Sequence, residues 1–262
     1  MKLFLYCLIM QFLISSISYG QNSGTDVNEI LVKSIEFKTG AAQQKESNLH
    51  KKVFNGFNYT FQFSRLKQSK NLSSLNISLG SSHLKTDVEY GFSSVNASLT
   101  FDYHYLYPVY SKDKWNVLSG FGSNLNYNVG YFWIWDESHL YSANFLSLNL
   151  TQRISYEVRG KRFVTMDLTV PVFLFLSRPE TERNFKMDDF SFSGIMNSLH
   201  YKPELKFLTR SNFLNVSVNY QYQRNNRLQP SLGYSFNYFN LNTTYSNRAQ
   251  IVQHLIGLKW YL

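Results

Sequence analysis

The stretch Arg248–Leu262, RAQIVQHLIGLKWYL, reads as a β-strand on which the rest of the chain is organised. From Val252 onward the even positions are Val252, His254, Ile256, Leu258, Trp260 and Leu262. The odd positions are Gln253, Leu255, Gly257, Lys259 and Tyr261. This is period-two alternation with one apolar face that runs to the final residue, and no polar tail follows. Termini of soluble domains are usually frayed and solvated. A barrel that must pair its last strand with an earlier one ends in this way.

The same rhythm recurs upstream. In Val53–Leu66 the residues Val53, Phe57, Tyr59, Phe61 and Phe63 oppose Gly56, Asn58, Thr60, Gln62 and Ser64. Ser73–Ser82 sets Leu75, Ile77 and Leu79 against Ser74, Asn76, Ser78 and Gly80. Ser93–Tyr107 sets Val95, Leu99, Phe101, Tyr103 and Tyr105 against Asn96, Ser98, Thr100, Asp102 and His104. Trp115–Trp135 is the longest run, with tryptophan at both ends. Asn144–Val158 and Phe163–Ser177 pair through the turn Arg159–Lys161, with Val164 to Leu176 facing outward and Asp167 inward. Pro171 lacks a ladder donor and marks a bulge or bend in the second of these. Leu199–Thr209, Leu214–Tyr222 and Leu232–Tyr238 precede the terminal strand, while Ile30–Thr39 and Phe185–Ile195 are weaker strand signals. Gly40–Lys52 reads as a polar loop. Most of these runs reach the roughly 9–11 residues that a tilted membrane strand needs. Their polar faces carry Asn, Ser, Thr, Gln and Gly instead of the charges of a solvated surface, which suits a barrel interior.

Bulk composition agrees. The 262 residues are 44% hydrophobic, 17% aromatic and only 16% charged. A mean hydropathy of −0.28 excludes a polytopic helical membrane protein. The formal charge of +9 is scattered, with no basic helix or cluster, so nucleic acid is not an expected partner. Residues 1–20 read as a secretory signal peptide with Lys2 in its basic region, Leu3–Ile14 as its apolar core and cleavage expected before Gln21. Residues 21–29 read as a flexible segment and 30–262 as one domain. The single cysteine, Cys7, lies in the signal peptide, so the mature chain can form no disulfide and has no cysteine nucleophile. No later stretch is apolar enough for a spanning helix; a spanning mature chain must therefore be a closed barrel.

In its spaced Leu258, Trp260 and Leu262 the last strand resembles the C-terminal strand of Gram-negative outer-membrane β-barrel proteins. It departs at the final position, where that class prefers an aromatic. The resemblance implies an all-β, transmembrane, antiparallel up-and-down β-barrel in the cell outer membrane, in contact with its lipids and lipopolysaccharide. It also implies recognition of the closing strand by the barrel assembly machinery. About twelve strands are expected, with ten as the alternative. Ten runs counted from Val53 onward would place the long segments 128–143 and 178–197 on the same side as the termini. Adding Ile30–Thr39 and Phe185–Ile195 gives twelve and mends part of this.

Candidate lumen or pore-lining residues are the inward charges Asp102, His104, Arg153, Glu157, Asp167, His200, Lys202, Glu204 and Lys206. They either line a solute path or neutralise one another in a filled lumen. Candidate membrane-interface aromatics are Trp115, Trp133, Trp135 and Trp260. His254 is a polar residue on an apolar face. Its two readings are a member of a lipid-hydrolase site and an interfacial histidine with its tip in water. No cofactor is expected, and no His, Asp or Glu pair has metal-ligand spacing. Three functional readings stay open: a porin-like pore or channel for small solutes or ligands, or a structural envelope barrel; an outer-membrane lipid hydrolase or deacylase; and a secreted soluble β-sandwich or barrel that binds sugar or a partner protein. The chain is more readily a non-enzyme than an enzyme.

Overall fold

The computed structural model describes residues 29–46, 53–87, 92–134, 137–178, 191, 193–194, 203–207, 212–224, 227–242 and 248–262. The signal-peptide segment, Trp135, His200, Lys202 and nearly all of Phe185–Ile195 lie outside them. The strands are β1 (Ile30–Glu46), β2 (Val53–Gln68), β3 (Leu72–Lys85), β4 (Ser93–Lys112), β5 (Trp115–Ile134), β6 (Glu137–Ser142) and β7 (Asn144–Glu157). They continue as β8 (Arg162–Ser177), β9 (Glu204–Phe207), β10 (Asn212–Arg224), β11 (Arg227–Leu228), β12 (Ser231–Asn242) and β13 (Arg248–Tyr261).

Ten of them close a ring in the order β1-β2-β3-β4-β5-β7-β8-β10-β12-β13, and β13 returns to β1. Every neighbouring pair is antiparallel, which is the up-and-down topology. A soluble sandwich of two packed sheets is thereby overturned. Closure leaves no edge strand in the ring, the arrangement by which a barrel pairs its backbone groups in lipid. First and last strands pair from Ser34↔Tyr261 to Glu46↔Ala249, and the Leu262 amide donates to the Lys33 carbonyl at 2.9 Å. The period-two run to the C-terminus is thus the closing strand.

Ten is the smaller of the two counts open to the sequence, reached with a different membership. The weak signal at Ile30–Thr39 is a full ring strand that runs on to Glu46, through residues expected as loop. Among its described residues, the stronger-looking Leu199–Thr209 supplies β9. Its residues pair with Phe173–Leu176 of β8, beyond Arg162–Thr169 where β10 pairs. This exchange reverses the parity problem. The connections Ser69–Asn71, Asp113–Lys114 and Val158–Lys161 fall at the end that holds Ile30 and Leu262. The strand ends that flank segment 178–211, Ser177 and Asn212, fall at the opposite end. We call these the turn end and the loop end. Gly160 and Lys161 take φ of 56° and 66° in the β7–β8 hairpin, which a glycine permits at the first of the two positions.

Outward side chains are apolar around the whole ring: Phe57, Leu79, Phe121, Leu232 and Ile256 are each more than half exposed. A continuous apolar exterior has no soluble rationale and fits a lipid-facing band. One assignment of faces fails. Leu148 pairs with Phe173 and Asn149 with Pro171, so Val172 is an extra residue on β8. The bulge expected at Pro171 is there, and it inverts the alternation beyond it. Leu174 and Leu176, expected outside, therefore turn inward and are buried.

Candidate functional site

The inward faces divide into three layers. At the turn end Leu72, Leu106 and Leu118 pack together, with Leu66 against them. At the loop end a larger cluster includes Phe54, Phe132, Phe145, Leu174, Leu176 and Leu241. Between the two apolar layers the inward positions are polar, and they line a cavity of about 220 Å³.

Two charged groups stand in this middle layer. On one side Glu36 of β1 is nearly fully buried and lies 3.3 Å from Lys259 Nζ and 3.6 Å from Lys38 Nζ. Lys38 also donates to Gln62 Oε1 at 3.0 Å. The carboxylate reaches this place because two directly paired glycines, Gly233 and Gly257, leave the wall bare. A Cβ on Gly257 would stand 2.6 Å from Glu36 Oε1. On the other side Arg153 of β7 donates to both oxygens of Asp167 on β8, at 2.5 and 2.9 Å. Asp102 accepts from the Asn124 amide. The His104 ring lies over Gly122, with Nδ1 3.1 Å from Thr151 Oγ1. Thr151 and Thr169 hydroxyls share a further bond of 3.3 Å. Both groups line the same cavity. Three carboxylates and three cations balance, so the layer as a whole carries no net charge with His104 neutral.

Of the residues predicted for the lumen, Asp102, His104, Arg153 and Asp167 line the cavity. Glu157 shares the Arg153 face but sits at the turn end of β7, outside the lining. Glu204 and Lys206 pair with each other on β9 at the loop end and are also outside it. His200 and Lys202 lie outside the described residues. Trp115, Trp133 and Trp260 stand on the exterior, each more than 40% exposed. Trp115 packs on Tyr156 of the next strand at 4.5 Å and Trp133 on Tyr131 at 4.4 Å. His254 also faces outward, where its Nδ1 is 2.7 Å from the Tyr234 hydroxyl. No serine joins that pair among the described residues.

Sequence reading missed Glu36, Lys38 and Lys259. The signal was available: Lys259 is on the face opposite Leu258 and Trp260, and Glu36 and Lys38 alternate with Ile35 and Phe37. The loose alternation of Ile30–Thr39 masks the inward side of that strand in the sequence. At the loop end one more pair was not anticipated. Arg178, just past β8, bonds Glu46 Oε1 at 2.6 Å and the Leu241 carbonyl at 3.3 Å, with both charged side chains buried. It ties the end of β8 to β1 and β12 across the mouth.

No protein-family model matches the chain, and no curated protein matches it. Solved structures do. The outer-membrane protease OmpT of Escherichia coli aligns with a TM-score of 0.56 at 8% identity, over 92% of this chain and 99% of that one. The translocator domain of the autotransporter NalP from Neisseria meningitidis aligns at 0.40, over 97% and 95%, with 8% identity. The COG4313 outer-membrane channel from Pseudomonas putida aligns at 0.37, over 93% and 98%, with 6% identity. The last two scores are too low to argue from, and at 8% identity the first speaks for the fold alone. The chain has the fold of a transmembrane, antiparallel β-barrel of the outer-membrane type.

Proposed function

We propose that the protein is an outer-membrane barrel that admits small polar solutes into and through a narrow lumen. The observation that carries this reading is the middle layer. Its walls are amides, hydroxyls and mutually balanced charges around open space, where a purely structural interior would be filled by apolar packing. In this reading the turn end faces the periplasm and the loop end the outside, following the usual short-turn and long-loop asymmetry. Residues 1–20 direct export, and mass spectrometry of the mature chain should find Gln21 first. The β13 strand is handed to the assembly machinery, and the apolar band meets lipid and lipopolysaccharide.

The leucine layer at the turn end favours a second reading, a sealed barrel with a structural role in the envelope. Apolar constrictions of this kind stop ions by dewetting. Planar-bilayer conductance separates the two. Discrete conductance steps that change in ion selectivity with Lys38→Gln or Asp102→Asn support passage. A silent barrel, with Leu106→Ala silent as well, sinks it in favour of the sealed role.

A further inference from the structure

The inward faces of β10 and β12 form a matched ladder. Phe213 stands opposite Phe239, Asn215 opposite Asn237, Ser217 opposite Ser235, and Asn219 opposite Gly233. The two phenyl rings stack at 5.1 Å with 3° between their planes, and Phe145 closes on them at 5.8 and 6.1 Å. These rings and the amides and hydroxyls below them line the same cavity. The order along the wall is therefore an aromatic face, then a pair of amides, then a pair of hydroxyls.

The bonding state of the wall selects the chemistry of an occupant. The carboxylates are already engaged: Glu36 by two lysines, Asp167 by Arg153, and Asp102 by Asn124. The groups left over are neutral. Asn237 donates to Gln253 at 3.1 Å, but its Oδ1 has no partner, and neither do the Oδ1 atoms of Asn124 and Asn128. All three residues line the cavity. Buried polar atoms in this condition normally find a partner in water or ligand. A charged solute would have to break an existing ion pair; a neutral hydroxyl-bearing one would not.

We propose that the cavity is a binding site for a neutral, polyhydroxylated molecule of about one sugar ring. Its apolar ring face packs on Phe145, Phe213 and Phe239, and its hydroxyls bond Asn215, Asn237, Ser217 and Ser235. Aromatic faces offer apolar area together with a partly negative surface to ring C–H groups, and amides can both donate to and accept from hydroxyls. The volume of about 220 Å³ is below the roughly 300–1,000 Å³ of drug-sized pockets, which limits the occupant to a single ring. This site deepens the solute-passage reading and rests on it for access from outside.

The test is calorimetric titration of the purified barrel with D-glucose, D-galactose and N-acetylglucosamine, against glycine and lysine. At least one neutral sugar should bind saturably. Binding should weaken by about tenfold in Phe239→Leu, which keeps apolar volume but removes the ring, and by a similar factor in Asn237→Leu. Ser217→Ala, a smaller change, should weaken it a few-fold. Each variant should keep the heat-dependent gel shift of a folded barrel, which separates lost binding from lost folding. Absence of saturable sugar binding, or equally tight binding of lysine, overturns the proposal. Conductance is read on the same preparations. A conducting barrel that binds no sugar removes this site and leaves passage standing. A silent barrel that binds sugar removes passage and supports the site as one for retention.

Discussion

Arg153 and Asp167 are direct cross-strand partners on β7 and β8, joined by two hydrogen bonds in the fork geometry of a guanidinium and a carboxylate. Both side chains are about four-fifths buried. Removal of one partner leaves the other as an uncompensated buried charge. Asp167→Asn should destabilise the barrel by about 3 kcal/mol, whereas the double change Arg153→Met with Asp167→Leu should cost much less. Urea titration followed by the folded-to-unfolded gel shift measures both. Equal losses in the single and double variants would show that the pair contributes nothing beyond its packing.

Gly40 sits where β1 and β13 close the ring, opposite Leu255. A Cβ there would stand 1.9 Å from the His254 carbonyl oxygen and 2.9 Å from Leu255 Cα, both of them backbone atoms that cannot swing away. Gly40→Ala should therefore cost about 1–3 kcal/mol, the range for overpacking. Gly257→Ala meets a side-chain oxygen of Glu36 instead, so it should be milder for stability and should displace Glu36 from Lys38 and Lys259. Thermal unfolding in detergent ranks the two. A Gly257→Ala more damaging than Gly40→Ala would contradict this account.

The leucine layer lies across the turn end of the lumen. Leu106 and Leu118 are buried in it with Leu72. Truncation of Leu106 to Ala should cost roughly 2–5 kcal/mol. The double variant Leu106→Ala, Leu118→Ala should raise single-channel conductance above that of the parent barrel. Unchanged conductance in a folded double variant would place the constriction elsewhere.

Neighbouring residues of β13 face different media. Ile256 is outward and more than half exposed to the surroundings, whereas Gln253 lines the cavity. Ile256→Arg should destabilise the protein in bilayers by about 2–4 kcal/mol, the cost of a cation near the membrane midplane. Gln253→Arg, in a polar lumen, should cost less and should shift ion selectivity toward anions. Refolding into vesicles with denaturant titration gives both values. The reverse order would mean that the faces are exchanged.

Much of this protein is determined by local pattern. Period-two alternation from Val53 to Leu66, and again from Val252 to Leu262, sets which side chain meets lipid and which meets the lumen, because a strand has no other way to turn its residues. The lipid-facing aromatic ends of β5 and the polar inner faces follow from the same rule, and so does the inward side of Asp102, His104, Arg153 and Asp167. What pattern could not decide depends on long-range pairing. That Ile30–Glu46 completes the ring is settled by which strand finds an open edge: β1 sits between β2 and β13, while the described residues Glu204–Phe207 pair with the far end of β8. A single extra residue at Val172 turns Leu174 and Leu176 from lipid to core, an offset invisible until the partner strand is in register. The charged layer is likewise a tertiary fact. Glu36 is 223 positions from Lys259, and only closure of the first strand on the last brings them to 3.3 Å.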